Sequence, residues 1–255
     1  MNSPLDFLRV FRVRLREAGI RFALTSGMAC VEYGLQQSTK DTDWIIAPED
    51  LGKLRDLFHA QERQTPPWRV AYRNIFGTPL EVEYLRHGWT SHLEVLDDAS
   101  ASSYAVDFFG KAPRVRDEEI QTDGNGLVTR HIVAQMKKTD REKDWPFADS
   151  LGLQMWIHKD PMALLHIRHE ESLQKAWEES SPSDRLRLVQ RRPLLAQLGE
   201  KGASLSRLLL LERMIWQEVD RERYSLFKTV WKSFYRRWKK EEGWQWPVKV
   251  PFEEQ

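Results

Sequence analysis

Two aspartates, Asp41 and Asp43, stand one residue apart at the head of a short apolar run, in the stretch GLQQSTKDTDWIIAPED from Gly34 to Asp50. If that run is a strand, residues two apart point the same way at a spacing of about 6 to 7 Å, so both carboxylates converge while Thr42 faces away. Two like charges placed so close repel unless a metal ion or a basic group neutralises them. Carboxylate oxygens are the ligands that magnesium prefers. The plainer alternative is that Asp41 caps a turn and Asp43 is solvated.

A second acidic pair lies in PLEVEYLR, where Glu81 and Glu83 share one face of a predicted strand. Glu83, with Val82 before it and Tyr84 and Leu85 after it, is the better candidate for a third carboxylate; a wet strand face is the alternative. In HIRHEE, His166 precedes His169 and Glu170 by three and four residues on a predicted helix, a spacing able to hold a metal. It lacks the His-Glu-x-x-His order of zinc peptidases, and a polar helix surface is the plainer reading. His131 and His158 read as packed core histidines, and Cys30 as a small buried helix residue.

The elements that must position these groups follow from periodicity. Leu5, Leu8, Phe11 and Leu15 predict an amphipathic helix over 4–18 ended by Gly19. RFALTSG then reads as a strand and turn, MACVEYGLQQ as a short helix, DTDWIIA as a strand broken by Pro48, and EDLGKLRDLFHAQ as a helix. WRVAYR, PLEVEYLR and HLEVLDD all look extended. After the Asp-Gly-Asn-Gly turn a helix begins at HIVAQMKK, which Pro146 must end, kink or restart. Beyond about Leu151 only helical patterns remain. The expectation is an α/β domain over 1–150 and a helical domain over 151–255, with no internal repeat.

The totals give no global argument for nucleic acid or membrane, since 39 lysines and arginines balance 38 acids. The single cysteine excludes an internal disulfide framework and a cysteine-based zinc site, and fits a reducing compartment. The N-terminal apolar positions are interrupted by arginines, and nowhere do 18 apolar residues run together. A soluble, cytoplasmic protein without a membrane partner is the expectation; the oligomeric state is not legible.

The run SGMACVEYGLQQSTKDTDWII resembles the signature of the DNA polymerase beta-like nucleotidyltransferase superfamily, including its minimal and abortive-infection-type members. That signature is a strand, a small-residue turn opening a helix, and an Arg-x-Thr-x-Asp-x-Asp approach to the next strand. Ser26-Gly27-Met28-Ala29 stands at the turn, and Gln37 to Asp43 at the approach. The resemblance implies a mixed sheet flanked by helices, followed by the helical region. It implies that Asp41, Asp43 and Glu83 hold two magnesium ions, and that Ser26, Gly27, Thr39 and Lys40 face the phosphates of a nucleoside triphosphate. A weaker echo in QMKKTDREKDWPFADSL adds Lys137 or Lys138 as phosphate contacts, with Lys143, Asp144 and Asp149 holding that helix to the sheet. The implied reaction is transfer of a nucleoside monophosphate to a hydroxyl of a protein, an RNA or a small molecule. Relatives include toxin–antitoxin, transfer-RNA-modifying and antibiotic-modifying transferases.

Two departures from that signature support an alternative. Gln37 stands where relatives often carry arginine, and Ser-Gly-Met replaces the usual turn order. The alternative is a non-catalytic interaction protein of the same fold. Its partner surface would be the C-terminal stripe Tyr224, Phe227, Trp231, Phe234, Tyr235 and Trp238, flanked by lysines and arginines. Such a helix could dock on RNA, with the Arg185 cluster adding charge, or lay its aromatics on the helical core.

Overall fold

The computed structural model describes residues 4–63, 68–73, 77–199, 204–242 and 250–251. Packing divides the chain at residues 128/129 and again within its last long helix: one unit comprises Met1–Val128 and Phe227–Gln255, the other Thr129–Leu226. The division expected near residue 150 therefore falls earlier, and the C-terminal stretch returns to the first unit.

The first unit opens with helix α1 (Pro4–Glu17), strand β1 (Phe22–Thr25), helix α2 (Ser26–Glu32), strand β2 (Asp41–Ile46) and helix α3 (Leu51–Glu62). It continues with β3 (Trp68–Tyr72), a single helical turn α4 (Val82–Leu85), β4 (Thr90–Asp97), β5 (Ser102–Phe109) and, from the far end of the chain, β6 (Val250–Pro251). The strands form one mixed sheet in the order β1-β2-β5-β4-β3-β6. Among the described strands β2 and β5 pair in parallel and the other neighbours are antiparallel. The α/β class with a mixed sheet flanked by helices is the one expected.

Period-two alternation gives the sheet two chemically different faces. Trp44, Phe108, Tyr104 and Trp68 lie on the face covered by α1 and α3, where they meet Phe7, Phe11 and Phe58. Phe11 is fully buried and sits within 5.2 Å, centroid to centroid, of the Trp44 ring. Thr42 shares this face, accepting from Trp44 Nε1 at 2.9 Å and donating to the Ala105 carbonyl at 3.3 Å. The opposite face carries Asp41, Asp43, Ala105 and Asp107, so the aromatic core fixes the strands that present the acids.

Part of each outer edge of the sheet is lined by another segment. The backbone of Leu24 accepts from Val128 at 3.1 Å and donates to Gly126 at 2.7 Å, which lays residues 126–128 along β1. Gly126 has φ +80°, and a Cβ there would sit 2.4 Å from the Phe22 ring, so no side chain fits. β6 pairs with β3 on the other edge.

PLEVEYLR is the one expected strand that does not form. Leu80 and Leu85, both fully buried, anchor the segment as a turn of helix, and Glu81 precedes it as the N-cap. A Cβ on Gly110 would lie 2.8 Å from the Leu85 backbone, so the glycine makes room for this turn to pack on the end of β5. Local alternation yields here to tertiary packing.

The second unit is helical: α5 (Arg130–Met136), α6 (Trp145–Ile157), α7 (Glu170–Glu179), α8 (Pro182–Val189) and the first part of α9 (Leu205–Glu242). Its interior holds an unusual polar cluster. Arg192 is buried, donating to Glu212 at 2.7 and 2.8 Å and to the carbonyls of Leu164 and Ile167 at 2.7 and 2.8 Å. Arg168 joins Glu212 at 3.0 Å, and Lys138, fully enclosed, donates to the Leu165 carbonyl at 2.9 Å. Burial pulls the Lys138 ammonium down to about 7, with Glu212 opposing and the neighbouring arginines assisting. Among the described residues no helix is long and apolar enough to cross a membrane.

Candidate active site

The register of the first sheet places five polar residues in one transverse row. Thr25 on β1 faces Asp43 on β2, Asp43 faces Asp107 on β5, and Asp107 faces His92 on β4. The row ends at Arg73, just past β3, whose N–H donates to the His92 carbonyl at 2.8 Å. Asp41 lies two residues before Asp43 on the same face, opposite Ala105, where a small side chain leaves it room. Asp43 and Asp107 are buried and Asp41 half-buried, so this is a recessed set of three carboxylates on adjacent parallel strands.

Beside the row, the turn between β1 and α2 is tightly built. Ser26 opens α2 with φ +55°, a left-handed conformation that costs a non-glycine residue roughly 1–2 kcal/mol. Such strain is typically retained at functional sites. At Gly27 a Cβ would lie 2.5 Å from Thr39 Oγ1, so only glycine lets the approach segment come this close. Thr39 Oγ1 in turn donates to Asp41 Oδ1 at 3.2 Å, and Gln36 Nε2 donates to the Gly27 carbonyl at 2.8 Å. Gly27, Thr39 and Asp41 thus form one connected wall, bringing together residues the sequence singled out. Lys40 is exposed at the start of β2.

Asp107 is held by two basic side chains. Arg73 Nη2 is ion-paired with its Oδ1, and His92 Nδ1 lies 2.8 Å from Oδ2. Gly77 permits the His92 ring to pass, since a Cβ there would sit 2.8 Å from the ring. The donor set of Asp41, Asp43 and Asp107 is all oxygen, the chemistry a hard divalent cation requires. Yet among the described residues no three acidic, histidine or cysteine side chains are gathered closely enough to hold an ion. Asp41 and Asp43 fit a magnesium site in type and placement, whereas Asp107 is paired with Arg73 and faces the His92 ring.

Glu83, expected as the third carboxylate, lies exposed on α4 and not on a strand of the sheet; Glu81 is its N-cap. The acid that the sheet sets beside Asp43 is Asp107, which the sequence reading missed. Its signal was the alternation Tyr104-Val106-Phe108 around it, a strand pattern left unread.

Lys137 and Lys138 both belong to the second unit, where they are buried on partners of their own. Lys137 pairs with Asp144 at 3.4 Å, and Asp144 also accepts from Thr139 and Arg141, each at 2.7 Å. Burial alone would raise the Asp144 carboxyl, but Lys137, Thr139 and Arg141 together hold it below its ordinary range. HIRHEE is not one continuous helix. His166 is buried against His131, nitrogen to nitrogen at 2.7 Å, while His169 caps α7 by accepting from the Ser172 N–H. His158, expected in the core, is exposed at the end of α6. Phe227 of the C-terminal stripe is buried in the first unit, edge-on to Trp89 at 5.7 Å, and Tyr224 is exposed. The side chains of Phe234, Tyr235 and Trp238 lie outside the described residues.

No protein-family model matches the chain, and no curated protein matches it. Two solved structures from Helicobacter pylori are similar at low level. One, described as that of a candidate nucleotidyltransferase, has a TM-score of 0.39 and 13% identity, covering 87% of this chain and 95% of its own. The other, of the protein JHP933, has a TM-score of 0.37 and 13% identity, covering 90% of this chain and 98% of its own. Likeness of this degree carries no inference about activity.

Proposed function

We propose that the chain is a nucleotidyltransferase, moving a nucleoside monophosphate from a nucleoside triphosphate to an acceptor hydroxyl. The observation that supports this reading is the row of carboxylates. Asp43 and Asp107 occupy matched positions on neighbouring parallel strands, Asp41 is on the same face, and the Ser26–Gly27 turn and Thr39 adjoin them. Asp41 and Asp43 would hold magnesium, with Asp107 able to join them once released from Arg73, and the ion when bound would neutralise triphosphate charge and make an acceptor hydroxyl easier to deprotonate. In the transfer, the acceptor oxygen bonds to the α-phosphorus as the bond to pyrophosphate breaks, and the hydroxyl proton leaves to solvent or a base. The strained Ser26–Gly27 turn and Thr39 receive phosphate oxygens, and Lys40 screens their charge at the rim. Asp107 takes the part first expected of Glu83, and the buried Lys137 and Lys138 are assigned none.

A second reading, a non-catalytic interaction protein, is favoured by one observation: Asp107 is paired with Arg73 rather than left open. One experiment separates the two. The purified chain is incubated with each radiolabelled nucleoside triphosphate and magnesium, with and without total RNA, beside an Asp41→Ala, Asp43→Ala double variant. Label transferred by the wild type and absent with the variant supports the transferase; no transfer and no nucleotide binding supports the second reading.

A further inference from the structure

We propose that Arg73 is a built-in counter-ion lock on Asp107, occupying the electrostatic place of a metal ion, so that cation binding across Asp43 and Asp107 requires Arg73 to let go. The inference rests on the transferase reading of the carboxylate row. Asp107 is buried, and a carboxylate buried beside a second one keeps its charge only with a positive partner. Here that partner comes from the chain itself: Arg73 on one oxygen and the His92 ring facing the other.

The pairing is incomplete in a telling way. A guanidinium engages a carboxylate best with two parallel N–H groups. Arg73 pairs through Nη2 while its Nε is buried with no hydrogen-bond partner. Arg192 shows what a fully satisfied buried arginine looks like in this same chain, with four hydrogen bonds to Glu212 and two carbonyls. An orphan buried donor is costly, so Arg73 is held in a place that serves the charge of Asp107 better than its own hydrogen bonding. The Arg73 side chain is also one-fifth exposed, against 6% for that of Asp107, which leaves the arginine the member free to swing toward solvent. Asp43 and Asp107 would take a divalent ion only as the guanidinium withdraws, since the ion would repel it and supply the neutralising charge in its place.

The test is direct binding of Mn2+ as a magnesium surrogate, followed by loss of the free-ion electron paramagnetic resonance signal. It compares wild type, Arg73→Gln, Arg73→Lys and Asp43→Asn, with thermal melting of each as a folding check. Removing the competing charge in Arg73→Gln is expected to tighten Mn2+ binding about tenfold, the scale of one charge interaction at a partly buried site. Arg73→Lys, a weaker partner for the carboxylate, should show a smaller gain, and Asp43→Asn should lose binding. Equal or weaker binding by a folded Arg73→Gln, with binding by the wild type dependent on Asp43, would overturn the lock alone and make Arg73 a positioning residue. If Arg73→Gln does not fold, Arg73→Lys decides by the same criterion. Absence of Asp43-dependent binding in both wild type and Arg73→Gln would overturn the metal reading of the site and the lock with it.

Discussion

Asp43 and Asp107 stand opposite each other on the parallel neighbours β2 and β5, with their side chains on the face away from the aromatic core. Their closeness follows from strand register, so it does not depend on a flexible loop. Asp43→Asn, which preserves shape and removes one charge, is expected to lower nucleotidyl transfer by at least about 100-fold with little change in melting temperature. Glu83→Gln, on exposed α4, should leave transfer within about twofold, as for a surface substitution remote from such features. A radiolabel transfer assay with both variants checks the pair; a large loss in Glu83→Gln would return the third carboxylate to that residue.

Gly27→Ala places a methyl group against Thr39, at 2.5 Å from Oγ1 and 3.3 Å from Cβ. Overpacking of this kind costs about 1–3 kcal/mol, and relief requires Thr39 to move away from Asp41. Chemical denaturation should show that loss, and calorimetric nucleotide affinity should fall with it. Adding Thr39→Ala should restore most of the stability without restoring the affinity, because the contact to Asp41 is gone.

Of these parts, the placement of Asp41 and Asp43 on one strand face was legible because it is local, alternation within a single strand, while the Ser26–Gly27 turn was picked out by the family resemblance. Asp107 was not, because a single acid inside SSYAVDFF gains its role only from the register of β5 on β2, which couples residues far apart in sequence. Glu81 and Glu83 misled for the converse reason, since their alternation is strand-like while the buried Leu80 and Leu85 decide the backbone. Lys138 sits in a charge run that ordinarily marks a solvated surface, and its burial is imposed by Leu165, Trp216 and Glu212 from distant segments.

Lys138 carries a pH signature. Its folded-state value of about 7 lies below the ordinary lysine value of 10.5, so between those limits the unfolded chain binds more protons than the folded one. Stability should therefore rise as pH increases from about 7 toward 10.5, by at most about 1.4 kcal/mol per pH unit. Lys138→Met, which removes the buried charge, should flatten that slope in urea titrations at pH 7, 8 and 9. A slope unchanged by the substitution would mean that the ammonium is not what titrates.

His166 acts on the acid side of the same unit. Burial, then the charges of Lys138, His131, Arg192 and Arg191, drive its protonation well below the ordinary value of 6.5. As pH falls below 6.5 the unfolded chain takes up a proton that the folded one refuses, so stability should decline from that point downward. His166→Gln should shift the onset of this decline to lower pH, measured by thermal melting between pH 7 and 5.

Phe11 tests how far the core supports the acids. Phe11→Ala should cost about 3–5 kcal/mol, since the ring is fully buried among Phe7, Trp44, Phe58, Trp68 and Phe108. Because Trp44 is the immediate neighbour of Asp43, transfer per folded molecule should fall as well. Denaturation curves and active-site titration on one preparation separate the two effects.

The edge coverings of the sheet set an order of events during synthesis. The outer side of β1 is covered by residues 126–128, available once the first half of the chain has emerged. The outer side of β3 waits for residues 250–251, which are made only after every residue of the helical unit. Until then Ala71 and Tyr72 of a nascent chain lack that partner, a strand edge of the kind that recruits a second chain. The arrangement of the chain thus leaves this edge to be closed last.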